Sequence, residues 1–347
     1  LRGDFTAQLA AGNLAGGTGL LFGHIRAGQG AGVATVPSYT GAVNSTSFGA
    51  AAHPHDSYAV VAQAYYQLEW PVGAPKAQGA AGDRVVLNIG KMDLFGLFDQ
   101  NDIAADESSK FLNNVFVHNP MLDSGGDTAA DPYGFAPGLR LGYFHSSEGS
   151  LGWGASVGVF GAGTGSSFSG PWQPPLVIAQ FELSPNQGSD EARGNYRFYA
   201  WSNGGTASLA GLTQRHSGFG VSADQKLGEN WTVFGRWGQR TSGDGQFDRG
   251  LTLGLEVAGK AWGRGNDNLG LAYGVLRTSE AWRVATLGKA LTGYEASGQE
   301  RIAEIYYRFK LGQHLDLSPD LQWVQRPGGD PAAATVRVLG LRATITF

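Results

Sequence analysis

Along residues 299 to 325, "QERIAEIYYRFKLGQHLDLSPDLQWVQ", greasy and polar positions alternate one for one. From Arg301 to Leu311 the odd positions read Arg, Ala, Ile, Tyr, Phe, Leu, and the even ones carry Glu304, Tyr306, Arg308 and Lys310. Past Gly312 the alternation resumes. Leu315, Leu317, Pro319, Leu321 and Trp323 fall on one face, Asp316, Ser318, Asp320 and Gln322 on the other. A period of two predicts strands, and the short Gly-Gln-His link predicts a hairpin.

Reading the whole chain this way gives about fifteen strands. They lie near 4–11, 20–28, 60–70, 84–92, 138–145, 153–160, 176–183, 195–203, 218–227, 231–240, 250–257, 268–277, 299–311, 315–324 and 335–347. Their connections alternate between short ("GEN", "GQH") and long, the long ones at 29–59, 161–175, 203–216 and 278–298 being rich in Gly, Ser and Pro. Outer-membrane barrels have that asymmetry, with short periplasmic turns and long external loops. Counting back from a periplasmic Phe347 makes the first readable strand run downward. An even-stranded barrel with periplasmic termini begins upward, so one further strand is expected before Leu1 or unrecognised within the chain.

The same alternation would suit a secreted sandwich, with the apolar face turned inward. Two features favour the inverse, a membrane barrel whose apolar faces (Leu251, Leu253, Leu255, Val257; Leu339, Leu341, Ala343, Ile345, Phe347) meet lipid. Trp70, Trp231 and Trp323 stand at strand ends on the apolar side, as interfacial girdles do. The polar faces carry Arg and Glu at mid-strand, with few of the lysines usual on a soluble surface.

Composition agrees. Gly 55 and aromatic residues 11% in 347 residues are high for a soluble enzyme. No run approaches the roughly 18 apolar residues of a spanning helix, so a membrane crossing would be by strands. Net charge is -4 without a basic stretch, and nucleic acid is not an expected partner. The absence of cysteine excludes disulfides, thiolate metal sites and cysteine nucleophiles. The opening "LRGDFTAQLAAGN" lacks a basic-then-apolar pattern, so any export signal is expected to have been removed already.

The segment "GKMDLFGLFDQNDIAADESSKFLNN", 90 to 114, resembles the carbohydrate-selective outer-membrane porin family of OprB type, as do "RHSGFGVSADQKLGENWTVFGRWGQ", 215 to 239, and the closing "AEIYYRFKLGQHLDLSPDLQWVQRPGG" to "GLRATITF". The resemblance covers nearly the whole chain. It implies a sixteen-stranded barrel in the bacterial outer membrane of a Gram-negative cell, passing sugars and ions, with no cofactor. It also implies a late start here, because "LRGDFTAQL" is similar to the family's second strand. Outer-membrane lipid and lipopolysaccharide are the expected surroundings, and the assembly is expected to be a monomer or homotrimer.

Residues 1–347 are thus read as a single all-β domain, a transmembrane antiparallel barrel, in which 93–137 lacks alternation and is expected to fold inward as a constriction. Within it "DESSKFLNN" could start a short helix capped by Asp106 or Ser108. A selective path for sugars needs planar donors and carboxylates for hydroxyls and aromatic faces for C–H patches. The inferred lumen offers Arg26, Glu69, Arg84, Arg140, Arg197, Trp201, Arg236, Glu304 and Arg308, with Arg240, Arg342, Glu182, Glu256, Asp320, Tyr65, Tyr199 and Tyr306. Both signs together suit a neutral polar solute. For each Arg the alternative is a structural ion pair within the lumen.

Other signals are weaker. His53 and His55 in "HPH" make an incomplete metal site. "DSGGDTAAD", Asp123 to Asp131, departs from an EF-hand order and reads as a solvated turn. Recurrent Gly-x-Gly spacings lack the context of a nucleotide loop and read as small lumen-facing residues or turns. No nucleophile, base and orienter stand in register for a barrel hydrolase. A general or other small-solute porin, and an outer-membrane partner of a polysaccharide exporter, remain as alternatives.

Overall fold

The computed structural model describes residues 1–30, 43–47, 56–73, 82–123, 127–146, 151–169, 173–187 and 189–347. His53 and His55 lie outside the described residues. Fifteen strands follow one another: β1 (Arg2–Leu14), β2 (Gly17–Gln29), β3 (Ser57–Val72), β4 (Asp83–Met92), β5 (Ala136–His145), β6 (Gly152–Phe160), β7 (Leu176–Ser184), β8 (Gly194–Ala207), β9 (Thr213–Leu227), β10 (Trp231–Ser242), β11 (Phe247–Ala258), β12 (Asn268–Thr278), β13 (Gln299–Leu311), β14 (Leu315–Gln325) and β15 (Val336–Ile345). Each pairs antiparallel with its neighbours in sequence, in one sheet ordered β1 to β15. All fifteen strands expected from alternation are present, most of them longer than their apolar pattern.

The sheet is curled. Glu107, between β4 and β5, accepts Arg2 of β1 on its side chain (2.9 Å) and Arg342 of β15 on its carbonyl (2.8 Å). The two edges of the sheet therefore meet at one residue. With fifteen strands alternating in direction β1 and β15 run the same way, and among the described residues no ladder joins them.

Burial reads out the faces. Leu253 is 52% exposed and Leu339 82%, whereas their neighbour-face residues Thr252 and Glu304 are 0% and 2% exposed. Ile89, Leu139, Val157, Phe181, Phe198, Leu251, Leu271 and Leu341 continue the exposed apolar band around the sheet. Polar residues occupy the inside. Val257 shares the apolar face of β11 but is buried, opposite Trp231 and Leu269 in the register, so it does not join the open band. At the short-turn end Tyr143 packs on Trp153 (5.3 Å), and Trp262 donates to the Tyr307 hydroxyl (2.8 Å), an aromatic rim of interfacial type. A β-bulge at His24/Ile25 shifts the facing of β3, bringing Gln63 and Tyr65 both inward.

Among the described residues two short α-helices interrupt the strands, α1 (Asn114–Val117) and α2 (Glu280–Ala285). The first corrects the expected start at Asp106 or Ser108. Asp106 does accept the Ser108 amide (2.9 Å), but this closes a turn, and the helix begins only after Asn113, whose side chain accepts the Val115 amide (3.1 Å).

Facing leads to a direct test. Leu253→Arg is expected to destabilise the membrane-inserted barrel by about 2–4 kcal/mol while Leu253→Phe is near neutral. Denaturant titration of folding into bilayers measures this; a water-facing sheet would tolerate arginine there.

Candidate functional site

The interior holds a second, packed layer. Between β4 and β5 the chain turns into the barrel and lays Phe98, Phe111, Val115, Phe116, Met121 and Leu122 against Phe160, Ile178, Tyr199, Phe234, Leu276 and Tyr306 of the wall. These wall residues belong to β6–β13, so one side of the lumen is filled with apolar contact. Close approach requires missing side chains. A Cβ on Gly220 or Gly238 would overlap the Asn119 amide, which accounts for some of the lumen-facing glycine spacings.

Polar anchors fix the segment. Arg236 of β10 is fully covered; its Nε donates to Asp99 Oδ1 (3.0 Å) and its Nη1 to the Phe116 carbonyl (2.7 Å). The Tyr199 hydroxyl donates to the same Asp99 oxygen (2.7 Å), and Asp99 Oδ2 accepts the Asn119 amide (2.6 Å). Four residues along the same face, Arg240 Nη2 donates to Asp127 Oδ1 (2.8 Å), and Trp201 Nε1 donates to Oδ2 (2.9 Å). A hydrogen bond of 2.8 Å links His216 to the same carboxylate. Asp127 is wholly buried and Asp131 pairs with Lys91 (2.7 Å), so the expected solvated turn is an anchor instead, because three lumen donors converge on it. Glu304 accepts the backbone amides of Leu112 (2.5 Å) and Asn113 (2.9 Å). Lys110 pairs with Glu256 (2.6 Å).

The residues singled out in the sequence therefore divide. Arg197, Trp201, Arg236 and Glu304 face inward but touch the inserted segment; Arg197 donates to the Gln100 carbonyl (2.8 Å) and lies 3.4 Å from Asp224. Arg308 donates to Asn268 within the wall. The others sit on β2–β5, and of these Arg26 also meets the segment, at Phe135. Arg26 pairs with Asp4 (2.7 Å) and lies over Phe135 (5.1 Å). Arg84 stands 3.7 Å from Glu69, and Arg84 and Arg140 both rest on Phe144 at 5.1 and 4.7 Å. Arg140 also donates to Ser156 (2.9 Å).

Beside the segment opens a polar cavity of about 290 Å³, lined by Asp93, Phe95, Gln100, Asp102, Glu107 and His118 of the segment and by Arg197 of β8. Phe95 stacks on His118 with ring centroids 3.8 Å apart at 9°. His118 in turn is bonded to Asp123 (2.8 Å), which also accepts Asn114 (2.7 Å). Burial alone would lower the imidazole pKa, but the Asp123 bond and the charges of Asp123, Asp93 and Glu107 hold it above its ordinary value. Burial pushes Asp93 up, against the opposing pull of His118. Asp106 stays below the usual carboxylate range in spite of burial, because Ser108 and Ser109 donate to it. Sequence reading missed Asp93, Phe95, Asp99, Glu107, His118 and Asp127. Their segment has no period, so no pattern assigns them a side.

A family model described as carbohydrate-selective porin, OprB family, matches residues 24–347. Among curated proteins, Porin AaxA of Chlamydia felis is 26% identical over 164 residues, 44% of this chain and 35% of that protein. Porin AaxA of Chlamydia caviae is 30% identical over 127 residues, 37% of this chain and 26% of that protein. The match thus spans about a third or less of the length of these curated relatives. The high-pH structure of Pseudomonas putida OprB superimposes with a TM-score of 0.76 at 15% identity, covering 100% of this chain and 87% of that one, a likeness of fold.

The anchors and the cavity each generate an expectation. Asp99→Ala strands a covered guanidinium and should lower stability by about 3–5 kcal/mol, whereas Asp99→Leu with Arg236→Met should lose less. Chemical unfolding midpoints separate the two. For His118, protonation stabilises the fold fully below the unfolded value near 6.5 and is lost as pH rises through the raised folded value. Cation preference, read from reversal potentials in a salt gradient, should therefore increase on the alkaline side of about pH 6.5, and His118→Gln should flatten that change.

Proposed function

The chain belongs to the OprB family of carbohydrate-selective porins of the bacterial outer membrane, and on that premise we propose that sugars diffuse passively between the inserted segment and the β1–β5 wall. The observation that carries the reading is the division of the lumen. Much of the lumen is closed by covered ion pairs and apolar packing, and what remains is a polar cavity with an aromatic platform, Phe95 on His118, and charges of both signs, Asp93, Asp102, Glu107 and Arg197. Hydroxyls meet planar guanidiniums and carboxylates, and C–H faces meet rings, in contacts weak enough to release the solute. In this reading residues 93–137 act as the constriction. Arg26, Glu69, Arg84 and Arg140 line the path, while Arg197, Trp201, Arg236 and Glu304 shape it by holding the segment. No proton or covalent step is involved; the channel is a filter and not an enzyme.

Single-channel current with a panel of neutral, acidic and basic sugars as blockers tests this. Neutral sugars should block best, and Arg84→Ala or Phe95→Ala should each weaken the block by about 0.5–1.5 kcal/mol while ion flow persists. Equal block by all solutes, unchanged in both variants, would instead favour a general small-solute porin.

A further inference from the structure

Many charged groups of the described residues are paired inside the sheet. One group of four arginines lies outside it, three of them unpaired among the described residues. Arg277, Arg283, Arg301 and Arg326 line a shallow cavity of about 310 Å³ at the long-loop end of β12–β14, together with Gly298 and Gln299. Register fixes its height. Arg277 is opposite Gln299, and Arg301 is opposite Val275 on one side and Gln325 on the other. One step below, on the same outward face, stand Tyr273, Ala303 and Trp323. Aromatic residues at the edge of an apolar band mark the headgroup level of a membrane. The arginines stand at or just beyond it.

Their charge is mostly uncompensated. Arg277 is held by Asp248 through two bonds of 2.7 Å. Among the described residues the side chains of Arg283, Arg301 and Arg326 have no hydrogen-bond or ion-pair partner, and no carboxylate lines the cavity. The loop bearing α2, which carries Arg283, exposes Val284 (60%), Leu287 (63%) and Leu291 (55%). This loop is tied down. Ser279 caps α2 by accepting the Trp282 amide (2.9 Å), and Trp282 Nε1 donates to the Gly328 carbonyl (3.0 Å). A fixed loop exposing three aliphatic side chains is poorly suited to water, and three clustered unpaired guanidiniums repel one another until an anion joins them. An anionic amphiphile would satisfy both.

We propose that this rim is a binding site for a phosphate-bearing lipid of the outer leaflet, a headgroup phosphate lying on Arg283, Arg301 and Arg326 and an acyl chain against Val284, Leu287 and Leu291. The guanidinium fork matches two phosphate oxygens at once. Free phosphate shares the head chemistry but has nothing to place on the aliphatic shelf. The site is on the outer wall and uses no lumen residue, so it stands apart from the proposed sugar path and rests on the long loops being external.

The test is native mass spectrometry of the whole chain in detergent, titrated with bisphosphorylated, acylated lipid A. Retention of lipid A is expected, and R283Q/R301Q/R326Q should bind it on the order of a hundredfold more weakly, at roughly fivefold per arginine. Its conductance should equal that of the parent, which separates loss of this site from any failure of the channel reading. Removing the phosphates from the lipid should weaken binding similarly, and V284S/L287S/L291S should weaken lipid A more than it weakens inorganic phosphate. Undiminished binding in the arginine variant would overturn the proposal. So would equal weakening by R249Q/R337Q, arginines of the same rim outside the cavity, or displacement by inorganic phosphate at concentrations equal to the lipid's, which would mark a bare anion site.

Discussion

Hydrocarbon offers a peptide group no hydrogen-bond partner, and every other feature of this protein follows from how that constraint is met. Fifteen strands satisfy one another in an unbroken antiparallel order, and the sheet curls until both edges reach Glu107. The apolar side chains can then face outward, because lipid replaces the core. This leaves the polar faces to build whatever lies inside, and an interior lined by arginine and carboxylate is a different packing problem from a soluble core.

The inserted segment solves half of that problem. Its apolar residues pack on the wall only because glycines at 220 and 238 let Asn119 approach, and its carboxylates Asp99 and Asp127 neutralise Arg236 and Arg240 out of water. A buried pair of this kind gives little net stability by comparison with apolar packing, yet losing one partner is severe. It therefore serves position more than strength. The segment is held in one place, and the cavity beside it keeps a defined outline, with Phe95, His118 and Asp123 stacked and bonded in sequence.

Charge is used differently at three depths. Under the segment it is paired and dry, which makes it structural. Along the open wall it is paired but solvated, as at Arg84 with Glu69, and such pairs exchange readily with a passing hydroxyl. At the outer rim three arginines remain unpaired among the described residues, beside exposed aliphatic side chains, where the medium changes from water to headgroup to hydrocarbon.

Alternation alone determined the strands and which residues share a face, because a side chain's side is set by a period of two and needs no knowledge of its neighbours. The inversion of the sheet was legible only from the tryptophans at strand ends and the lysine-poor polar faces. Leu253 outward and Arg236 inward are legible in that way. What each inward residue does is not. Arg84 and Arg236 occupy equivalent places in the pattern, yet one faces the open lumen and the other is sealed against Asp99, 137 positions away in the chain. Val257 continues an apolar face and is nevertheless buried, and Asp127 sits in a Gly-rich run that reads as a solvated turn but closes on Arg240, His216 and Trp201. Those outcomes depend on where an aperiodic segment comes to rest inside a curled wall. Only the tertiary structure decides this, since the contacts are between residues with no regular spacing and form only after the sheet has curled.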